Sequence, residues 1–287
     1  MASILTNSSS MAALSTLRSI SNQMSTTQER ISSGLKVGSA SDNAAYWSIS
    51  TTMKAESSSL SVVGEALGMG SSLADIASTA TESIVDLLGK IRDRVTAAGE
   101  STNDKDKILT ELNQLGTQMD ETVKAASFNG QNWLTATDKA GTALGTDTTV
   151  LSGITGGTLN FITVSLESAT GATGNTQAIV DTVKSFAAAD LTDTAAVQTT
   201  LSKIDDAIAG ITELGAKFGA ASSRIDIQKQ FISSLTDAID RGVGSLVDAD
   251  MNEESTRLKA LQTQQQLAVQ SLSIANSSSE SILQLFR

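Results

Sequence analysis

The 287-residue chain has no proline, no histidine and no cysteine. At the usual ~5%, a chain of this length would carry roughly fourteen prolines. Proline ends or kinks helices, so its absence leaves room for unusually long ones. Without cysteine and histidine, a thiolate nucleophile, a histidine-based triad and the common zinc ligand sets cannot be built. Disulfides are excluded too, so no cysteine framework speaks for the compartment. Aromatic residues make up only 3%, where a sandwich, barrel or doubly wound enzyme would use more aromatic anchors. Carboxylates, lysines and hydroxyls remain for chemistry, and an enzyme is the least supported class.

Charge narrows the partners. The chain holds 31 acidic and 20 basic residues, a net −11, which argues against nucleic acid. No apolar run approaches the ~20 residues needed to span a bilayer. Met1 to Ser25 carries one charge, Arg18, and no continuous apolar stretch, so it does not resemble a cleavable signal peptide. The chain reads as soluble. With 41 serines and 34 threonines, its polarity comes largely from hydroxyls.

What is present in abundance is helical periodicity. Leu258, Leu261, Gln265, Ala268, Leu272, Ala275, Ser279, Ile282 and Phe286 alternate steps of three and four, a heptad seam worth about 43 Å of helix. Upstream, Val197 through Leu246 repeat the pattern with one skipped position, Gln228. Between them, Gly242, Gly244 and the acidic stretch Asp248 to Glu254 mark a joint. The N-terminal half mirrors this. Met11, Leu14, Leu17, Ile20, Met24, Ile31 and Leu35 predict a first helix from about Ile4. A loop with Gly34, Gly38 and Asp42 follows, then a long helix from Ile49 to Ala98 with a bend near Gly68 and Gly70. Ile108 to Ala126 predict a third helix.

The middle differs in composition. Residues 135–176 are rich in Thr and Gly, and Leu159, Phe161, Val164 and Leu166 alternate with polar residues, Ile162 being an extra apolar position that suggests a bulge. Ser127-Phe128-Asn129-Gly130 contains a tight-turn pair, and a short helix is expected near Gln177–Ala189. The fold class is therefore mainly α: a long antiparallel helical bundle or coiled coil from paired N- and C-terminal segments, with a small β-rich central insert. The expected divisions are 1–40 with 250–287 as terminal helices, 41–134 with 195–249 as a helical core domain, and 135–194 as the insert.

The terminal helices are unusual for the charge they lack. Residues 1–28 hold one charged side chain, and residues 260–287 hold only Glu280 and Arg287. Surface helices normally carry Lys and Glu outward; these carry Ser, Thr, Asn and Gln. The last helix also has apolar residues off its seam, at Leu267, Val269, Ile274, Leu283 and Leu285. Burial against several neighbours suits such a helix, and the free monomer is expected to order it poorly.

Several motifs in order carry a family resemblance. Glu29-Arg30-Ile31-Ser32-Ser33-Gly34-Leu35-Lys36, Ser39 to Ala45, Phe128-Asn129-Gly130, Val247 to Glu254 and Leu285-Phe286-Arg287 resemble bacterial flagellin. The resemblance covers roughly 1–135 and 195–287. It looks closest to the short-insert flagellins of plant-associated alphaproteobacteria, through the Asn43-Ala-Ala-Tyr46-Trp47 variant. It implies a subunit exported unfolded and uncleaved through the flagellar type III apparatus, polymerising at the filament tip beneath a cap. Terminal helices would form the inner core, and the insert would face outward. Few fixed charges on a lumen wall mean little Coulombic trapping of a passing chain. Lack of cysteine avoids cross-links in transit.

The partners so implied are copies of the same chain, with or without paralogous flagellins, and an export chaperone, the filament cap and the hook-junction proteins. The implied location is the extracellular filament, with no cofactor, metal or membrane. The polymerisation interface expected from the terminal seams is Leu14, Leu17, Ile20, Met24, Leu258, Leu261, Leu272, Ile282, Leu285 and Phe286. Two further readings compete with the filament subunit: a hook-filament junction protein of the same family, and a soluble helical signalling coiled coil. Charge-poor ends and the Gly/Thr insert weigh against signalling.

Smaller features have plain readings. Asp248, Asp250 and Asn252 have calcium-loop spacing, but Glu253 and Lys259 stand where that loop needs Gly and Glu. Helix capping by Asp250 or Asn252, with Glu253 and Glu254 facing the macrodipole, is preferred. The sequons at Asn7 and Asn276 fall in terminal helices and are read as chance; Thr142, Thr146 and Thr148 are better glycan candidates. Residues 29–50 and 88–98 correspond to stretches of related flagellins sensed by plant and vertebrate receptors. Asn43, Tyr46, Lys90, Asp93 and Arg94 depart from the usual residues there, which implies weak recognition by both.

Overall fold

The computed structural model describes residues 7–100, 103–136, 147–167 and 176–285, with the side chains of the last helix through residue 277. In order, the elements are helix α1 (Ser8–Ser33), α2 (Ala44–Ala98), α3 (Lys105–Ala125), strands β1 (Asp147–Thr155) and β2 (Thr158–Ser165), α4 (Thr176–Lys184), a 3-10 turn (Ala188–Leu191), α5 (Thr194–Val247) and α6 (Met251–Leu285). The protein is mainly α with a small antiparallel sheet, as the periodicity predicts. Ile4, expected near the first helix start, lies outside the described residues. The chain divides into two compact units, residues 1–57 with 237–287 and residues 58–236, and the division falls inside α2 and α5.

In the unit of residues 58–236, the heptad positions are the core. Leu60, Val63 and Leu67, then Ile84, Leu88, Ile91 and Val95 of α2 are buried, as are Ile204, Ile211, Leu214, Phe218 and Ile225 of α5. Each such side chain contributes roughly 1.5–3 kcal/mol by leaving water. Helix α3 adds Met119 and Val123. Beyond it, Trp133 is fully buried with its ring centroid 6.1 Å from that of Phe218. The Asn129-Gly130 pair makes the tight turn expected: both residues have positive φ, and Phe128 and Gln131 exchange backbone hydrogen bonds.

Two details of the insert differ from expectation. The register shift lies between Leu151 and Gly153 on β1. Ile162 is an ordinary inward residue, buried with Val164, while Phe161 faces out. The expected bend at Gly68 and Gly70 is also missing, since α2 is continuous. Gly70 instead makes room: a Cβ there would lie 2.5 Å from Val150 Cγ1 of the hairpin. Gln228, the skipped position of the α5 stripe, donates its side-chain amide to the Ser152 carbonyl at 2.9 Å. A break in the stripe is thus a docking point.

In the unit of residues 1–57 with 237–287, α1 and α6 pack antiparallel. Asn7 donates to the Ala275 carbonyl at one end, and Arg30 pairs with Glu254 at the other. Many hydroxyls on these helices turn back onto their own backbone. Thr16, Thr26, Thr256 and Thr263 each donate to the carbonyl four residues earlier, at 2.8–3.1 Å, a pattern open to Ser and Thr within helices.

Candidate functional site

The residues that carry the family resemblance converge on the joint beside the terminal pair. Gly34 ends α1 in the left-handed conformation, φ 75°, and its N–H donates to the Arg30 carbonyl. The chain then runs alongside the α5–α6 connection. Leu35 forms a bridge with Asp248, the Lys36 N–H donates to the Val247 carbonyl at 2.7 Å, and the Ala249 N–H to that of Gly34 at 2.9 Å. Val37, Val243 and Val247 are buried beneath these strand-like contacts, packed by Leu35, Met53, Ile239 and Leu246.

The polar residues of the motif are caps and clasps. Asp42 accepts from the N–H and hydroxyl of Ser39 and from the Gly38 N–H at 2.9–3.1 Å. The backbone bond from Ser39, then its hydroxyl, hold the Asp42 carboxyl below the ordinary aspartate range. Asn43 caps α2 through the N–H groups of Ala45 and Tyr46. Asp250 caps α6 through those of Asn252 and Glu253, the role preferred for it over a calcium ligand. Glu254 is buried and takes Arg30 at 3.1 Å and Arg257 at 3.4 Å on the same oxygen; its Oε2 has no partner. The Arg30 pairing across 224 residues was invisible to sequence reasoning. The available signal was a pair of opposite charges at the inner ends of two helices otherwise almost free of charge.

Along the terminal pair, burial follows the heptad. Ile20, Leu261 and Ala268 are buried together, with Leu17 and Met24 packed against them. Leu258 and Leu272 are half-buried, and Leu14 is 40% exposed. Ile282, Leu285 and Phe286 lie outside the residues whose side chains are described. The structure thus gathers Leu17, Ile20, Met24 and Leu261 into one seam within the chain. Large apolar side chains off that seam remain exposed: Met11, Leu267, Val269 and Ile274. Asn7, read as a chance sequon, caps α1 by accepting from the Ser10 N–H.

Among the described residues, no group of three or more carboxylates is placed to hold a metal, and no helix is long and apolar enough to cross a membrane. A charge-poor antiparallel helix pair, apolar both inside its seam and on its outer faces, defines a structural protein built to associate. The comparisons with known proteins give the particular case. Residues 4–139 match the bacterial flagellin N-terminal helical region, and residues 201–286 the bacterial flagellin C-terminal helical region. The chain is 42% identical to flagellin C of Rhizobium meliloti (strain 1021) and 43% identical to a flagellin of Brucella melitensis biotype 1, in each case across the whole of both chains. A solved structure, that of Bacillus cereus flagellin, aligns over 57% of this chain and 86% of that one, at 23% identity and a TM-score of 0.44. The chain belongs to the flagellin family. It is a structural subunit of the bacterial flagellar filament and assembles with copies of itself.

Proposed function

We propose that residues 1–40 and 250–287 form the inner core of the filament, that residues 41–134 and 195–249 surround it, and that residues 135–194 face outward. The observation that carries this is the terminal pair itself, with an apolar seam inside, apolar side chains left outside, and a single charge between residues 1 and 28. Leu14, Leu17, Ile20, Met24, Leu258, Leu261, Leu272, Ile282, Leu285 and Phe286 are the residues on which polymerisation depends. The chain reaches the filament unfolded and uncleaved, through type III export with its chaperone, and adds beneath the cap beyond the hook-junction proteins.

Leu261→Asp tests the seam. It forfeits roughly 1.5–3 kcal/mol of burial, besides the cost of placing a charge there. Because every copy carries the defect, seeded filaments are expected not to elongate. The helices of residues 58–236 should stay folded by circular dichroism. Normal filaments seen by sedimentation and microscopy would overturn the proposal. Elongation of seeds by the unaltered chain separates a filament subunit from a junction protein, which does not extend them.

Recognition by host receptors is proposed to be weak. Asn43 is engaged as a cap and Arg94 in an ion pair with Glu111 at 2.9 Å, so neither side chain is freely offered. A strong response of plant or vertebrate reporter cells to low concentrations of pure protein would contradict this.

A further inference from the structure

Resting on the filament reading above, we infer that copies meet side to side through opposite flanks of the terminal pair: the groove beside Ile20 and Ala268 of one copy receives Leu14 and Val269 of the next.

The α1–α6 seam consumes only one face of each helix. Leu14 remains 40% exposed and Val269 54%, an unfavourable state for apolar side chains unless another surface covers them. Successive residues of a helix turn by about 100°. Leu267 and Val269 therefore step to opposite sides of buried Ala268. The same count places Thr16 and Leu14 on opposite sides of buried Ile20. The two helices are antiparallel, so their flanks combine, Thr16 with Leu267 on one side and Leu14 with Val269 on the other.

The first flank is concave. A groove of 480 Å³ runs along it, floored by Ile20 and Ala268 and walled by Thr16, Gln264, Leu267 and Ser271. The Thr16 hydroxyl is bonded back to the Ala12 carbonyl, so the groove wall presents its methyl group. The second flank is convex and carries Leu14 and Val269. None of these residues is charged, so docking strips no ion of its water.

The occupant is a second copy of this chain, because a filament subunit must be covered by its own kind. The two flanks are different surfaces, so the contact is heterologous. A heterologous contact that does not close into a ring propagates as a helical filament. Two identical flanks facing each other would pair copies and stop.

The absence of cysteine makes the test clean. Thr16→Cys and Val269→Cys are prepared as single variants of the full chain, grown on seeds separately and as a mixture, then mildly oxidised. Disulfides form only where Cα atoms lie within about 4.4–6.8 Å. The expected result is a reducible cross-linked dimer in the mixed filaments, absent from either variant alone and from unpolymerised mixtures. Ser271→Cys mixed with Leu14→Cys provides a second, independent pair across the same contact. Mixed filaments that grow normally yet yield no mixed dimer from either pair overturn the inference, as does a dimer from one variant alone. Failure of the unaltered chain to extend seeds would instead sink the filament reading itself.

Discussion

Asp120 shows how much a single side chain can organise. Its carboxylate is buried and accepts from Lys124 at 2.8 Å, Gln177 at 2.9 Å and Lys184 at 3.0 Å, fastening α4 to α3. Those bonds, Lys124's foremost, hold its pKa far below the ordinary aspartate range. A depressed carboxylate stabilises the fold fully above its unfolded pKa, near 4, and loses that contribution as pH falls toward the folded value. Asp120→Asn should cost about 1.5–3 kcal/mol at neutral pH, the range for hydrogen bonds to a charged group. Urea melts of the two proteins should differ most at neutral pH and converge below pH ~4. Little of this cluster was legible in the sequence. Lys124 sits one helical turn from Asp120, but Gln177 and Lys184 arrive from across the insert, and no periodicity reports that.

At the scale of elements, the heptads were the most legible feature, because a buried face recurs every three or four residues wherever its partner comes from. The stripe could not say which contacts close within the chain, so the seam of α1 with α6 and the faces left outside it looked alike. Glycine was misleading for a related reason. Gly68 and Gly70 suggested a bend, yet α2 runs through them, and Gly70 is explained only by Val150 on a distant strand. In an exposed helix, Gly→Ala would stabilise by about 1 kcal/mol. Here the added carbon meets Val150, and overpacking costs about 1–3 kcal/mol, so Gly70→Ala should destabilise on balance. Combining it with Val150→Ala should cost less than the sum of the two single changes, a coupling that denaturant melts can measure.

For the whole molecule, the order short helix, long helix, insert, long helix, short helix follows from composition alone, since no proline interrupts it and the Thr/Gly-rich middle stands apart. The distribution of charge adds a consequence for assembly. Residues 58–236 carry 21 acidic and 12 basic side chains, a net −9 that leaves −2 of the chain's −11 for the remainder. Like-charged units brought together repel, and the Debye length shrinks from about 30 Å at 0.01 M salt to about 8 Å at 0.15 M. Seeded elongation, followed by light scattering, should therefore quicken as salt rises over that range. Slowing would mean that ion pairs between copies dominate instead.

The hydroxyls that fold back onto helix carbonyls change how the terminal pair meets water. A threonine whose Oγ1 is already bonded at Thr16, Thr26, Thr256 or Thr263 turns its methyl group outward and has less left to offer a hydration layer. Letter by letter these helices spell a hydrophilic surface. Their wettability is lower than that spelling, so a coat of loosely held water can drain from them as another surface approaches, without a single ion having to be dried.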